Sequence, residues 1–317
     1  MLLSNGNLVE PNKKKMSSTY KHLKRYWFLY LMIVPGFIHM VVFRYIPMSG
    51  IILAFKKYTV RGGVYGSPWV GLKNFQEVFS DLTFLGVVLR NTVVINLYHI
   101  VFGFSFTILL ALMLNEITNK RLKGILQTAV YFPNFISWVV IAGLFTTMLS
   151  PTHGLVNEII KAFGGDPVYF LMKKEYFRGI LVISSIIKNA GYGTILYFAA
   201  ISGINPELYE GAVIDGAHRG HMIYYITLPR IKPVIVLMLV FNIAGIFGSN
   251  FEQVQSLYNP ILYETGDVLS TYMYRVGITQ GRYEFATAQG LVFNIVGLLM
   301  LFVTDKVSKN LDVMGIF

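Results

Sequence analysis

Cysteine is absent from the 317 residues, which excludes disulfides, thiolate chemistry and Cys-ligated metals. Charge is scarce as well: Asp, Glu, Lys and Arg make up 14% of the chain, against about a quarter in an ordinary soluble domain. Catalytic signatures are missing too. There is no Gly-x-x-x-x-Gly-Lys-Ser/Thr loop to cradle nucleotide phosphates, no His-Glu-x-x-His and no Gly-x-Ser-x-Gly. Gly191-Tyr192-Gly193 lacks the third glycine of a dinucleotide loop. His218 and His221, with Asp215 nearby, supply too few ligands for a structural or catalytic metal. These absences lead us to expect a chain that is not an enzyme and holds no metal or cofactor of its own.

Apolar residues are what the chain has in excess. They make up 54% of it, and the mean hydropathy is +0.56. They are gathered into runs rather than spread evenly. About 20 apolar residues in a helix cross a hydrocarbon core of about 30 Å. Six such runs lie near Trp27 to Ile46, Thr92 to Leu114, Ile125 to Leu149, Gly179 to Ile201, Val234 to Phe251 and Ala286 to Val303. Only helices and closed barrels satisfy the backbone in lipid, and continuous rather than alternating apolarity selects helices. The expected fold is therefore an all-α integral membrane protein with six transmembrane helices, two of them kinked at Pro35 and Pro133. No internal repeat is evident, so the inverted-repeat transporters lack their best sequence pointer.

The net charge of +11 raises the question of nucleic acid. The basic residues are scattered between apolar runs, with no basic helix or RNA-binding motif, so no nucleic-acid partner is expected. Lys13, Lys14, Lys15, Lys21, Lys24 and Arg25 precede the first run. Their density, with that of Lys120, Arg121, Lys123, Arg219, Arg230 and Lys232, places both termini inside by the positive-inside rule. The first run is too long for the apolar core of a cleaved signal peptide. Residues 1–26 then form a cytoplasmic basic tail and residues 27–317 a membrane domain with its core at about 88–304.

Between the fourth and fifth runs lies a segment too polar to span and too patterned for a slack loop. Asn205 is a good N-cap, Pro206 suits the first helical position, and Glu207 complements the positive helix end. Gly216 permits a turn, a second short helix follows, and Leu228-Pro229 is expected to stop it. On pattern alone this helix–turn–helix is equally an amphipathic helix resting on lipid.

Polar groups inside spans are functional candidates by default. Run five carries Asn242, Ser249, Asn250 and Gln253 at spacings that put them on one helical face. Run four carries Lys188, Asn189, Tyr192 and Tyr197, and run six carries Asn294. Two uses remain open for the run-five groups, lining a substrate pathway or hydrogen-bonding helix to helix; for Tyr192 and Tyr197 they are stacking on a substrate or packing. A lysine at mid-span is costly unless paired; Lys188 could attract an acidic substrate or pair with a carboxylate of a neighbouring subunit.

The segment Glu210, Ala212, Asp215, Gly216, Ala217, Ile226, Leu228 and Pro229 resembles the EAA loop of ABC importer permeases, with Gly211 where that family usually has Ala. The six runs, the stretch Trp69-Val70-Gly71-Leu72-Lys73-Asn74-Phe75 and Arg90-Asn91-Thr92 are similar to the carbohydrate branch, the maltose-transporter permeases. The resemblance implies a multi-pass permease of the bacterial cytoplasmic (inner) membrane whose EAA loop, between helices 4 and 5, is a coupling helix. It implies a second homologous permease, two cytoplasmic ATP-binding subunits that use ATP and Mg²⁺, an extracytoplasmic solute-binding protein and an oligosaccharide substrate. It also favours span five as part of the sugar site. The long tyrosine-rich outer segments suggest polysaccharide breakdown products, such as alginate- or pectin-derived oligomers. The alternatives are an ion-driven secondary transporter, an ABC permease for a non-sugar substrate, and a membrane scaffold in which the polar faces only join helices.

Overall fold

A computed structural model of the chain describes residues 22–23, 25–248 and 250–310. The basic tail, apart from a few residues, and Ser249 therefore lie outside the described residues. The chain divides into two compact units, Met1–Ile52 and Leu53–Phe317. Helix α1, Trp27–Phe55, makes up most of the described part of the first unit. Pro35 sits inside it.

Within the second unit, a short helix α2, Lys73–Ser80, precedes α3, Phe84–Asn115. The bent pair α4, Lys120–Phe135, and α5, Trp138–Met148, comes next. A connecting helix α6, Leu155–Ala162, leads to α7, Lys174–Ser202. Then follow α8, Glu207–Ile214, α9, Arg219–Ala244, α10, Phe251–Leu257, α11, Leu269–Tyr274, and α12, Tyr283–Asn310. Apart from one antiparallel bridge, Lys56 with Trp69, the secondary structure of the described residues is helical. Among the described residues, five helices are long and apolar enough to cross a bilayer, or six if α4 and α5 count as one broken span.

Three expectations need correction. The run Ile125–Leu149 is not one kinked helix, because α4 and α5 meet at 102°. Pro133 removes a backbone donor, Ile136 is extended, and the Ser137 hydroxyl accepts from the Val140 N–H to start the second helix. Nor does Leu228-Pro229 stop a helix: α9 runs from Arg219 straight through it. A π-helical stretch, Ile223–Thr227, lies just ahead of Pro229, and such a local adjustment accommodates a proline without ending the span. Third, the fifth span ends at Ala244 rather than Phe251. Residues 245–248 form a turn, Asn250 adopts a left-handed conformation with φ of 74°, and α10 starts afresh.

In lipid, packing and hydrogen bonds rather than water exclusion hold helices together, so close approach matters. Helix α7 packs lengthwise on α3 and also meets α4. A Cβ at Gly191 of α7 would lie 1.8 Å from the Val130 carbonyl oxygen of α4. The glycine is there for helix contact, which accounts for the Gly-Tyr-Gly sequence. One buried cluster joins Phe84 and Val88 of α3 to Leu269 and Tyr272 of α11 and Phe285 and Phe293 of α12. Another joins Ile95 of α3, Ala142 of α5, Phe177 and Leu181 of α7, and Val254 of α10.

Polar ties fasten the segment between α10 and α12 to the spans. Arg178 donates to the Asn91 carbonyl oxygen at 2.8 Å, and Asn91 donates to the Glu264 backbone carbonyl at 3.0 Å. The Leu269 N–H donates to the Thr92 hydroxyl at 2.8 Å. Asp267 is buried and accepts from Thr271 and Arg275. Burial pushes its carboxyl above the usual carboxylate range, although both partners pull the other way.

Candidate functional site

Helices α3, α7 and α9 line a half-open cavity of about 510 Å³, within the size range of small-molecule sites. From α7 come Ser185, Asn189 and Tyr197. Ser185 and Asn189 are one helical turn apart, and the Asn189 amide donates to the Ser185 hydroxyl at 3.2 Å. From α9 comes Asn242, whose amide donates to the Met238 carbonyl one turn back at 2.8 Å. From α3 come Asn96 and His99. His99 opens a π-helical stretch, His99–Phe104, a local widening often found at functional sites.

Asn250 completes the wall from the turn after α9. Its left-handed backbone suits asparagine better than most residues. Its amide donates to the Asn96 carbonyl oxygen at 2.9 Å, while the Asn96 amide donates to the Ile246 carbonyl at 2.9 Å. Asn96 thus anchors the turn at the end of α9 and lines the cavity at once.

Among the described residues, those that line the cavity include no Asp, Glu, Lys or Arg. Amides, hydroxyls, an imidazole and a phenol both donate and accept, as the hydroxyl groups of a polyol require. A wall without carboxylates also does not repel an anion.

Four sequence candidates therefore meet in one place: Asn189, Tyr197, Asn242 and Asn250. They do so from two helices and a turn, so Asn242, Asn250 and Gln253 do not share the single helical face expected of them; the helix that would carry it ends at Ala244. Gln253 is buried in α10 and donates to the Leu181 carbonyl and to the Ser184 hydroxyl at 2.9 Å, a helix-joining role. Tyr192 and Asn294 are exposed and line no part of the cavity. Lys188 is 7% exposed and also lies off the cavity. Its ammonium donates to the carbonyls of Asn134, at 2.9 Å, and Ile136, the acceptors set free where α4 gives way to α5. The Trp138 ring faces it at 5.5 Å. Sequence reasoning missed Asn96, His99 and Ser185, although polar groups within a span were the signal used for the others.

The polar segment after α7 forms a second candidate site. The Asn205 side chain accepts from the Glu207 N–H at 3.1 Å, a cap for α8. At the other end Gly216 has φ of +77°. The Ala217 N–H reaches the Ala212 carbonyl at 2.9 Å and the Gly216 N–H reaches Val213 at 3.0 Å, a Schellman closure that needs glycine at this position. Glu210, Asp215 and Gly216 are exposed, whereas Ala212 and Ala217 are half-buried. Val213 and Ile214, 61% and 86% exposed, project from the end of α8. Two ties fix the segment to the spans: Arg219 pairs with Glu116 at 2.8 Å, and the Tyr209 and Thr227 hydroxyls lie 2.9 Å apart. Leu228 and Pro229 belong to α9. Among the described residues no group of three or more His, Asp or Glu side chains could hold a metal.

Residues 103–312 match the family described as binding-protein-dependent transport system inner membrane component. The chain is 40% identical over 290 residues, 92% of its length and 90% of the relative's, to the polygalacturonan/rhamnogalacturonan transport system permease protein YteP of Bacillus subtilis (strain 168). It is 42% identical, with a TM-score of 0.85, to a chain in the crystal structure of a bacterial ABC transporter involved in the import of the acidic polysaccharide alginate; 92% of this chain and 99% of that one are covered. A structure of a bacterial alginate ABC transporter in complex with an alginate pentasaccharide-bound periplasmic protein matches at 42% identity and a TM-score of 0.85, covering 94% and 99%.

Proposed function

The chain belongs to the family of binding-protein-dependent transport system inner membrane components, and from that premise we propose that it forms one half of an oligosaccharide import pathway, the substrate being an acidic oligomer released from a polysaccharide such as pectin or alginate. A second, homologous permease supplies the other half, an external solute-binding protein delivers the sugar, and two ATPase subunits drive the cycle with ATP and Mg²⁺.

The observation that carries this proposal is the cavity between α3, α7 and α9. Its wall of Asn96, Ser185, Asn189, Asn242 and Asn250 offers paired donors and acceptors without fixed charge. Sugar hydroxyls find partners there, and a uronate meets no repelling carboxylate. The polygalacturonan and alginate systems among the relatives support the acidic substrate.

Coupling falls to α8 and the turn at Gly216. With both termini inside and the bent pair α4–α5 as one of six spans, this segment faces the cytoplasm. There Glu210 and Asp215 present charge, and Val213 and Ile214 present an apolar tip, to an ATPase groove. The Schellman closure and the Arg219–Glu116 pair make the segment stiff enough to pass on a rigid-body push.

Co-expression with the neighbouring transport subunits, followed by purification in mild detergent, tests the proposal. A second permease and an ATPase are expected to copurify, and Glu210→Ala is expected to weaken ATPase retention or uncouple hydrolysis from uptake. Recovery of a folded chain alone, with Glu210→Ala silent, would overturn it.

A further inference from the structure

Helix α6 does not touch the pathway, yet it is built with care. It begins seven residues after Met148, the last residue of α5. Asn157, on its inner face, is fully buried. Its amide donates to the carbonyls of Ser150 at 2.9 Å and Val168 at 3.0 Å, and more weakly to that of Leu149 at 3.3 Å; its carbonyl oxygen accepts from the Val168 N–H at 2.7 Å. One side chain therefore staples both ends of the connection to the foot of α5. The orientation of α6 is set by these bonds.

Leu155, Ile159 and Phe163, at the helix and its C-cap, follow one another at intervals of four, one stripe of the helix surface. They are 58%, 51% and 89% exposed. Glu158 and Lys161 lie on a different side and pair with each other at 2.9 Å. Val156 turns from the same apolar half toward a groove of about 540 Å³ that Leu144 and Met148 of α5 and Ile183 and Ile187 of α7 also line. The stripe thus adjoins the apolar flanks of two spans.

Markers of membrane depth agree with this placement. Lys173, Lys174 and Glu175 stand at the start of α7, where charge belongs at the headgroups. Tyr169 and Tyr176, 56% and 42% exposed, have the amphipathic rings of an interfacial belt. Helix α6 is strung between this point and the end of α5, so it lies at the same depth.

We propose that α6 is an interfacial helix that rests on the bilayer surface, with Leu155, Ile159 and Phe163 sunk among the acyl chains and the Glu158–Lys161 pair facing water. Helices of this kind bury one apolar face at the boundary between headgroups and acyl chains. The surface fits lipid rather than a delivery protein, because its apolar stripe runs on into the apolar groove along the flanks of α5 and α7, the apolar helices beside it. It rests on no view of what passes through the cavity.

Because the chain has no cysteine, single spin labels can be placed by Leu155→Cys, Ile159→Cys, Phe163→Cys, Glu158→Cys and Lys161→Cys. The complete complex, in vesicles of phosphatidylethanolamine and phosphatidylglycerol, is compared with the unsubstituted complex as labelling background. The ratio of collision with oxygen to collision with an aqueous nickel chelate is expected to be several-fold higher at 155, 159 and 163 than at 158 and 161. Phe163→Trp is expected to be quenched by brominated lipid. Equal nickel access on both faces would overturn the proposal. So would shielding of the stripe from both reagents without lipid quenching, which would mean that a protein covers it.

Discussion

Lys188 lies midway along α7, a helix long and apolar enough to cross a membrane, and its side chain donates to the backbone carbonyls of Asn134 and Ile136. The spacing of polar residues pointed to it for a sound reason, the expense of a charge in a span. Which partner meets that expense was not legible, because the break that frees those carbonyls is a backbone event. Removing the cation leaves two part-buried acceptors without that donor, a cost of up to roughly 1–3 kcal/mol each. Lys188→Met is therefore expected to lower the melting temperature of the purified complex by several degrees, and Lys188→Arg to recover part of the loss. Asp267 makes a second residue-scale test. Its raised pKa means that the folded chain holds this proton more tightly than the unfolded one. Between the ordinary value, about 3.9, and the raised value, its contribution to stability grows as pH falls and fades as pH rises through the raised value. The melting temperature of the wild type, compared with Asp267→Asn, is thus expected to improve as pH is lowered through the raised value toward the ordinary carboxylate range. An unchanged gap would show that this carboxyl does not titrate in that window.

Helices end for reasons that hydropathy does not record. Apolar composition continues across the α4–α5 break and past Ala244, so the first was read as one span kinked at Pro133 and the second as an uninterrupted span. The cues were a proline with a serine cap in the first case and two glycines in the second, set in otherwise apolar sequence. Where capping chemistry itself was the signal, at Asn205 and Gly216, the local helix ends followed the residue pattern closely. The proline after Leu228 misled because proline stops a helix only where the preceding turn cannot adjust. The Arg219–Glu116 pair joins the start of α9 to the end of α3 across two elements. As a largely exposed pair it adds at most about 1 kcal/mol to stability. Its expected effect is on coupling: Arg219→Glu should leave assembly intact while lowering uptake per ATP hydrolysed. The exchanged pair Arg219→Glu with Glu116→Arg should restore that ratio. Equal ratios in all three proteins would mean that the pair plays no part in transmission.

At the scale of the whole molecule, the class was the most legible property. Scarce charge and long apolar runs leave few alternatives to a helical membrane protein, and an eight-residue helix with a glycine closure between two spans narrows the choice further. The cavity was only half legible, since its polar wall gathers residues from α3, α7 and the turn beyond α9 that no single periodicity connects. The account as a whole stands on ATP-driven passage of an oligosaccharide along that wall. Uptake of a labelled oligogalacturonate into vesicles carrying the complete complex tests it most directly, with Asn242→Leu as the paired variant. The account predicts accumulation that requires both internal ATP and the binding protein, and that falls several-fold in Asn242→Leu while the complex stays assembled. Accumulation that persists without ATP and follows an imposed ion gradient would contradict it.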